Sequence, residues 1–226
     1  MNRIVAITGG FGHLGSVVGQ AFAEAGWRVA LLDRAVGPRY PQAGALCLGG
    51  IDLTDPAAAR AALEQVNAHY GGLDALINVA GGFHWETLGD GDIDTWDLMY
   101  RINLRTAVVS SQAALAHLKA RGRGRILNIA AAAATRAAFG MGAYAASKAG
   151  VMRLTEALAE ELKDARITVN ALLPSIIDTP QNRADMPGAE FDRWVKPEQL
   201  AATLLFLASD SAAAITGACI PVTGRV

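Results

Sequence analysis

A glycine-rich loop near the start of the chain places the strongest constraint on its fold. Residues 8–15 read TGGFGHLG and carry Gly10, Gly12 and Gly15 in the spacing GxGxxG. The loop follows an apolar run at 3–8, typical of a buried strand, and precedes an amphipathic stretch at 14–25 that predicts a helix. Glycines there let the backbone turn tightly and approach a pyrophosphate, whose charge the free N–H groups of the helix start can bind. The pattern predicts a dinucleotide-binding unit.

The rest of the chain repeats this alternation of strand and helix. Near-continuous apolar strands separated by helices are typical of a parallel sheet covered on both faces, which right-handed crossovers arrange as a doubly wound Rossmann sheet. A length of 226 residues suits one α/β domain over 1–226 and leaves little room for a second. The further predicted strands are 28–33, 45–49, 74–78, 125–130, 166–172 and 218–222, and the further predicted helices are 56–70, 93–119, 142–164 and 197–208.

Composition excludes several classes of function. A formal net charge of -1 argues against a nucleic-acid binder, and we interpret the one basic cluster, KARGRGR at 119–125, as a solvated turn. The chain opens directly on a strand, and no apolar stretch is long enough to span a membrane, so we expect a cytoplasmic protein without a membrane partner. The two cysteines, Cys47 and Cys219, show no metal-ligand spacing, so no metal site is expected.

Two acidic positions after predicted strands bear on the cofactor. Asp33 ends the second strand, and its carboxylate can accept both ribose hydroxyls of NAD while repelling the 2′-phosphate of NADP. The neighbouring Arg34 could instead pair with that phosphate, so NAD(H) is favoured over NADP(H) with the second left open. After the third strand, Asp52 and the backbone of Leu53 could meet the adenine; the alternative is that Asp52 or Thr54 caps the next helix.

Tyr144 and Lys148 form a candidate proton-transfer pair. Positions i and i+4 share one face of a helix. A phenol has a pKa near ~10, and an ammonium about 4 Å away at an effective dielectric of about 20 would contribute about 4 kcal/mol. That energy would bring the phenol pKa near ~7, at which proton exchange is easy. The alternative is a half-buried tyrosine beside a surface lysine.

Together these motifs resemble those of the short-chain dehydrogenases/reductases. The glycine loop, NVAGG at 78–82, Asn103, Tyr144-x-x-x-Lys148 and LLPSIIDTP at 172–180 occur in the order of that family. The resemblance implies a seven-stranded sheet of order 3-2-1-4-5-6-7, a nicotinamide cofactor, and a homodimer or homotetramer. In the helix at 142–164, a stripe of apolar residues is expected to face partly the sheet and partly a twofold mate: Val151, Leu154, Leu158 and Leu162.

The resemblance also assigns individual residues. Lys148 would hold the nicotinamide ribose, and Asn103 would hold a water linking Lys148 to solvent, although a structural asparagine bonded to nearby backbone is the alternative. The remaining cofactor contacts implied are Gly9, Gly10, Gly12, His13, Leu14, Gly15, Asn78, Ala80, Gly81, Tyr144, Pro174, Ile177 and Thr179.

Three positions depart from the family pattern. His13 replaces the middle glycine of the loop, Ser175 replaces a glycine after Pro174, and Ala131 stands thirteen residues before Tyr144, where the family has a catalytic serine. A missing oxyanion donor costs about 10²–10³-fold in rate, so a ketone reductase would need a substitute such as Thr135 or a water. A conjugated C=N acceptor spreads its charge and could dispense with the serine.

One branch of the family is closest in sequence pattern. The segment DTPQNRADMPGAEFDRW at 178–194 is similar to dihydropteridine reductases, which implies NADH-dependent reduction of a quinonoid dihydropterin. The alternatives are a carbonyl reductase or alcohol dehydrogenase, and a catalytically idle NAD-binding regulatory protein. The expected substrate contacts are Ala131, Phe83, His84 and Trp194, the last at the end of a lid-like segment.

Overall fold

A single parallel sheet organises residues 3–226, the part of the chain that the computed structural model describes. Within these residues seven strands pair in the order β3-β2-β1-β4-β5-β6-β7, all parallel. This order confirms the predicted doubly wound Rossmann sheet. The strands are β1 (Ile4–Thr8), β2 (Arg28–Leu32), β3 (Leu46–Leu48), β4 (Ala75–Asn78), β5 (Gly124–Ile129), β6 (Ile167–Pro174) and β7 (Cys219–Val222).

Helices cover both faces of the sheet because successive strand residues point to opposite sides. In β1, Ile4 and Ala6 join the core built with α2, α4 and α5, whereas Val5 and Ile7 join the core built with α1 and α7. The helices are α1 (His13–Glu24), α2 (Pro56–Tyr70), α3 (Ile93–Met99), α4 (Thr106–Ala120), α5 (Gly142–Leu162), α6 (Pro180–Asp185) and α7 (Pro197–Ala208), with short 3₁₀ turns at Ala132–Ala134, Lys163–Ala165, Phe191–Arg193 and Asp210–Ala212.

The predicted helix over 93–119 differs from the structure. A π-helical turn at Tyr100–Arg105 separates α3 from α4, and the N–H of Thr106 donates to the carbonyl of Arg101, five residues back. Such turns insert an extra residue into a helix and are frequent at functional sites. The turn carries Asn103. Residue periodicity alone predicted the asparagine's helix but not this π-helical turn.

The apolar stripe of α5 lies mostly in the core. Val151, Leu158 and Leu162 are buried, and the partly buried Leu154 packs against the core that contains Leu158 and Leu162. The stripe thus faces the sheet in part, as expected, and its pairing with a twofold mate stays a prediction. Exposed apolar side chains of this helical layer also lie on α3 and α4: Ile93, Leu98 and Val108.

The sheet order keeps the two cysteines far apart. Cys47 on β3 and Cys219 on β7 occupy the two opposite edges of the sheet, and both are free thiols. Between residues 3 and 226, no helix has the length and apolar character needed to cross a membrane.

Candidate active site

The candidate site lies at the carboxyl edge of the sheet. Because all strands are parallel, the segments that follow β1, β2, β4, β5 and β6 emerge at one edge, where open α/β sheets bind ligands. These segments carry the glycine loop, Asp33, the 79–86 loop, Ala131 and the 175–179 stretch. The fold therefore brings the predicted motifs to one place.

The glycine loop forms a cradle that side chains would fill. A Cβ at Gly15 would lie 2.1 Å from the carbonyl oxygen of Gly9, and a Cβ at Gly10 would lie 2.7 Å from Cβ of Leu31. Gly12 is the N-cap of α1 and provides no side-chain cap, so the first N–H groups of α1, from His13 onward, stay free for an anion. The loop thus fits the pyrophosphate of a dinucleotide, with Leu14 buried beneath it.

Asp33 is held against this loop by two backbone hydrogen bonds. Its Oδ2 accepts from the N–H of Phe11 at 3.0 Å, and its Oδ1 accepts from the N–H of Ala35 at 2.9 Å. Each carboxylate oxygen keeps a further lone pair, so the group can still accept from ribose hydroxyls. The neighbouring Arg34 is exposed.

The residues after β3 serve local structure. Oδ1 of Asp52 accepts from both the N–H and the hydroxyl of Thr54, and these bonds lower the pKa of the Asp52 carboxyl. Leu53 is buried in the core. The cap of α2 is Asp55, whose side chain accepts from the N–H of Ala57, rather than Asp52 or Thr54 as the sequence suggested.

Thr8, which the sequence reasoning missed, ties the glycine loop to the loop after β4. Its hydroxyl accepts from the N–H groups of Val79 and Ala80, at 3.1 and 3.2 Å. Asn78, expected at the cofactor, has a buried side chain, whose amide donates to Asn128 Oδ1 at 2.9 Å and to a serine on α4. It supports the end of β4 because a buried amide needs partners within the interior.

Asn103 joins three elements. Its Oδ1 accepts from the N–H of Gly82 at 3.0 Å, while its Nδ2 donates to the carbonyl of Gly82 at 3.0 Å and to Ser147 Oγ at 3.1 Å. These bonds fit the structural role that the sequence left as an alternative, and the water-holding role stays a prediction. A Cβ at Gly81 would lie 2.5 Å from Asn103 Oδ1 and 3.3 Å from Lys148 Nζ. Both polar groups therefore lie against the backbone of Gly81.

The pKa values of Tyr144 and Lys148 differ from those expected from the sequence. Lys148 is buried and its Nζ donates to the carbonyl of Ile129 at 2.8 Å; burial lowers its pKa to about 8. Burial also raises the pKa of Tyr144 to about 12. The value differs from the expected ~7 because burial disfavours the charged phenolate.

Thr135, the substitute considered from the sequence, does not supply the hydroxyl of the family serine. Ala131 is buried directly before the 3₁₀ turn, and the hydroxyl of Thr135 is exposed and donates to the carbonyl of Ala132 at 2.8 Å. Ser147 is likewise engaged, donating to the backbone carbonyl of Tyr144 at 2.7 Å. The position where the family has its serine is therefore apolar.

The four expected substrate contacts are not all alike. Phe83 is half exposed and meets the ring of Tyr144 edge to face, with centroids 5.0 Å apart. His84 is exposed, with Nε2 3.6 Å from Glu86 Oε2. Trp194, in contrast, is buried and packs against Phe191 at 4.9 Å between centroids, so it offers little surface to a substrate.

Asp178, also missed in the sequence, fastens the segment that carries Trp194. Its carboxylate accepts from Arg183 on α6 at 2.8 Å and from Lys196 at 2.6 Å, and these two cations hold its pKa far below the usual range. The backbones of Ile177 and Val195 also pair. Both ends of the 178–196 segment are thus fastened, so it is a packed segment rather than an open lid.

Within this segment, Asn182 orients two of the predicted cofactor contacts. Its side chain donates to the carbonyl of Ile177 at 2.7 Å, and its N–H donates to Thr179 Oγ1 at 3.1 Å, which caps α6. Pro174 ends β6 directly before this stretch. The predicted contacts thus follow one another at the carboxyl edge.

Comparisons with known proteins agree with this geometry. A model of the family described as short chain dehydrogenase matches residues 3–189. The 2-(S)-hydroxypropyl-CoM dehydrogenase 3 of Xanthobacter autotrophicus is 30% identical over 99% of this chain and 96% of that protein. The 4-formylbenzenesulfonate dehydrogenase of Comamonas testosteroni is 32% identical over 99% of this chain and 98% of that protein.

A solved structure is similar along the whole chain. The 3-ketoacyl-(acyl-carrier-protein) reductase from Brucella melitensis, complexed with NADH, superposes with a TM-score of 0.88 at 29% identity and covers 99% of this chain and 98% of its own. These proteins are dehydrogenases and reductases of varied substrates. They support the family as a whole and do not single out the dihydropteridine reductase branch.

Proposed function

The chain belongs to the short-chain dehydrogenase family and is an NAD(P)-dependent oxidoreductase, and we propose that it uses NADH to reduce a conjugated C=N bond in a flat heterocycle, such as a quinonoid dihydropterin. The observation that carries the proposal is Ala131, an apolar residue where the family has its serine. We also propose that it works as a homodimer or homotetramer in the cytoplasm.

The protein's own residues divide the work of binding and proton transfer. When bound, the nicotinamide supplies or accepts a hydride. The glycine loop binds the pyrophosphate, and Asp33 accepts the ribose hydroxyls, which favours NADH because a 2′-phosphate would be repelled. Lys148 would hold the nicotinamide ribose.

The hydride adds to one end of the conjugated C=N bond, and Tyr144 donates its phenol proton to the other end, which gains the electron pair. A pKa of about 12 keeps the phenol protonated at neutral pH. The phenolate left after donation takes a proton back from solvent before the next turnover.

The apolar position opposite Tyr144 supports a substrate without a localised oxyanion. A ketone builds negative charge on one oxygen, and the loss of a single donor to that oxygen costs about 10²–10³-fold. A conjugated C=N acceptor spreads the charge over its ring. Because Thr135 and Ser147 are bonded to backbone carbonyls, neither hydroxyl is offered to an oxyanion.

A carbonyl or alcohol substrate is the second candidate. The names of the relatives support it, since these proteins are described as dehydrogenases of a hydroxypropyl compound and of an aryl aldehyde. An idle regulatory protein is set aside, because the Tyr144–Lys148 pair is intact and the relatives are named as enzymes.

Ala131→Ser separates the two candidates. Steady-state rates are measured with NADH and two acceptors, a quinonoid dihydropterin and an aryl aldehyde, for the original protein, Ala131→Ser and the control Ala133→Ser in the same turn. We expect Ala131→Ser to change the dihydropterin rate by less than about threefold, because no alkoxide forms opposite it. A gain of about 10²-fold with the aldehyde, making it the better substrate, would assign the protein to carbonyl reduction.

A further inference from the structure

Three exposed aromatic side chains lie on two loops that precede Tyr144 in the chain and take no part in the proton transfer described above. Phe83, Trp85 and Phe139 are 54%, 53% and 79% exposed. Phe83 meets the Tyr144 ring, Trp85 lies two residues after Phe83, and Phe139 lies in the loop that leads into α5. Exposed apolar side chains gathered on neighbouring loops can mark a binding site, whereas single scattered ones need no explanation.

Two loops hold the outer rings in place. Nε1 of Trp85 donates to the carbonyl of Phe139 at 3.0 Å, and the N–H of Glu86 donates to the carbonyl of Gly140 at 2.8 Å. The rings of Trp85 and Phe139 lie 5.7 Å apart between centroids. The loop after β4 is thus fastened to the loop before α5, and the rings are positioned before any substrate arrives.

Gly140 makes this arrangement possible. Its φ is +71°, and a Cβ there would lie 2.2 Å from Cε2 of Trp85. The indole therefore lies directly against the backbone of Gly140, and any larger residue would displace it.

We propose that Trp85 and Phe139 are specificity-determining residues which, with Phe83, select a flat conjugated ring over a saturated ring of the same size. A flat ring can stack on or meet these rings edge to face, whereas a puckered ring cannot approach as closely. Each aromatic pair contributes a few-fold in affinity beyond its buried area, so two contacts predict a preference of about tenfold. The inference rests on the proposed function only for placing the substrate beside Tyr144.

The preference is measured by binding alone. The NADH-loaded protein is titrated calorimetrically with 2-naphthoate, which is flat, and with decahydro-2-naphthoate, which has the same skeleton and charge but puckered rings. Neither compound is a substrate for the proposed reduction. This titration and the Ala131→Ser rates can therefore fail independently. We expect 2-naphthoate to bind about tenfold more tightly.

Two variants and two matched controls assign the preference to the aromatic rings. Phe139→Ala removes one ring, and Gly140→Ala keeps every ring but displaces Trp85; both should reduce the preference to about twofold or less. Phe206→Ala removes an exposed phenylalanine from α7, and Gly122→Ala places a side chain at φ +70° with no atom within 4 Å. Both controls should keep the preference.

Three results would overturn the proposal. Equal binding or no binding of the two acids would show that the rings do not select flat ligands. A preference retained in Phe139→Ala and Gly140→Ala would place the selection elsewhere. A Phe139→Ala protein that changes oligomeric state in light scattering, with its preference intact, would show that a second copy covers the rings.

Discussion

Replacing Lys148 by methionine should stabilise the cofactor-free protein at neutral pH, although it removes a residue of the site. Lys148 is buried, and burial lowers its pKa from the ordinary 10.5 to about 8. At about 1.4 kcal/mol for each pKa unit, the folded protein spends about 3 kcal/mol at pH 7 to keep this ammonium charged. Methionine fills a similar volume without a charge.

The net gain is smaller, because the lysine also makes a hydrogen bond. Its Nζ donates to the carbonyl of Ile129 at 2.8 Å, and a bond from a charged group contributes about 1.5–3 kcal/mol. The difference leaves about 1 kcal/mol in favour of Lys148→Met at pH 7. For a chain of this length, that corresponds to a rise in Tm of about 2–4 °C.

The advantage of Lys148→Met should shrink with pH. The folded pKa lies below the unfolded value, so the penalty is fully present below about pH 8 and fades as pH rises towards 10.5. Near pH 10 the folded lysine is neutral and its hydrogen bond contributes about 0.5–1.5 kcal/mol, which offsets the remaining penalty, so the two proteins should be about equally stable.

Urea unfolding of both proteins at pH 7 and pH 10, without cofactor, measures the change. Lys119→Met, an exposed lysine near the end of α4, is the control and should change stability by less than about 0.5 kcal/mol at either pH. A loss of stability in Lys148→Met that is equal at both pH values would refute the reasoning, because a buried, partly neutralised ammonium would then not be present.

Three further predictions follow from the same structure. Asp33→Ala should erode a several-fold preference for NADH over NADPH, and calorimetry that finds NADPH the tighter ligand of the original protein would reject the role of Asp33. Asp178→Asn should lower Tm by a few degrees at neutral pH, and the difference should shrink as the pH falls below about 4, because the lowered pKa means that the ion pairs with Arg183 and Lys196 stabilise only the ionised carboxylate; a Tm difference that does not change with pH would contradict this. Light scattering at micromolar concentration should report a dimer or tetramer, and a monomer of 23.6 kDa would count against the assembly.

The strand and helix pattern predicted the fold because it depends on local periodicity. Seven apolar runs separated by helical stretches gave the strands, and the parallel order places the glycine loop and Asp33 at one edge. The α5 stripe could not be divided between sheet and partner subunit, because apolar spacing shows that a helix has a buried face, not which partner covers it. The π turn around Asn103 was missed because it breaks no residue pattern.

The sequence predicted which residue types belong to the candidate site, but not their burial or their contacts. Tyr144 and Lys148 are four residues apart, but their pKa values depend on how deeply the fold buries them and on the bond from Lys148 to Ile129. Asp178 and Gly140 act through contacts with residues distant in the chain or on another loop. Such contacts exist only after folding, so spacing along the sequence could not reveal them.

The central claim is that Tyr144 supplies the proton in an NADH-dependent reduction. Single-turnover loss of NADH absorbance with a quinonoid dihydropterin compares the original protein with Tyr144→Phe, which keeps the ring that Phe83 contacts and removes only the donor. We expect the variant to bind NADH with unchanged affinity and to react about 10²–10⁴-fold more slowly. A variant that reacts within about threefold of the original rate would contradict the claim, because the proton would then come from another group.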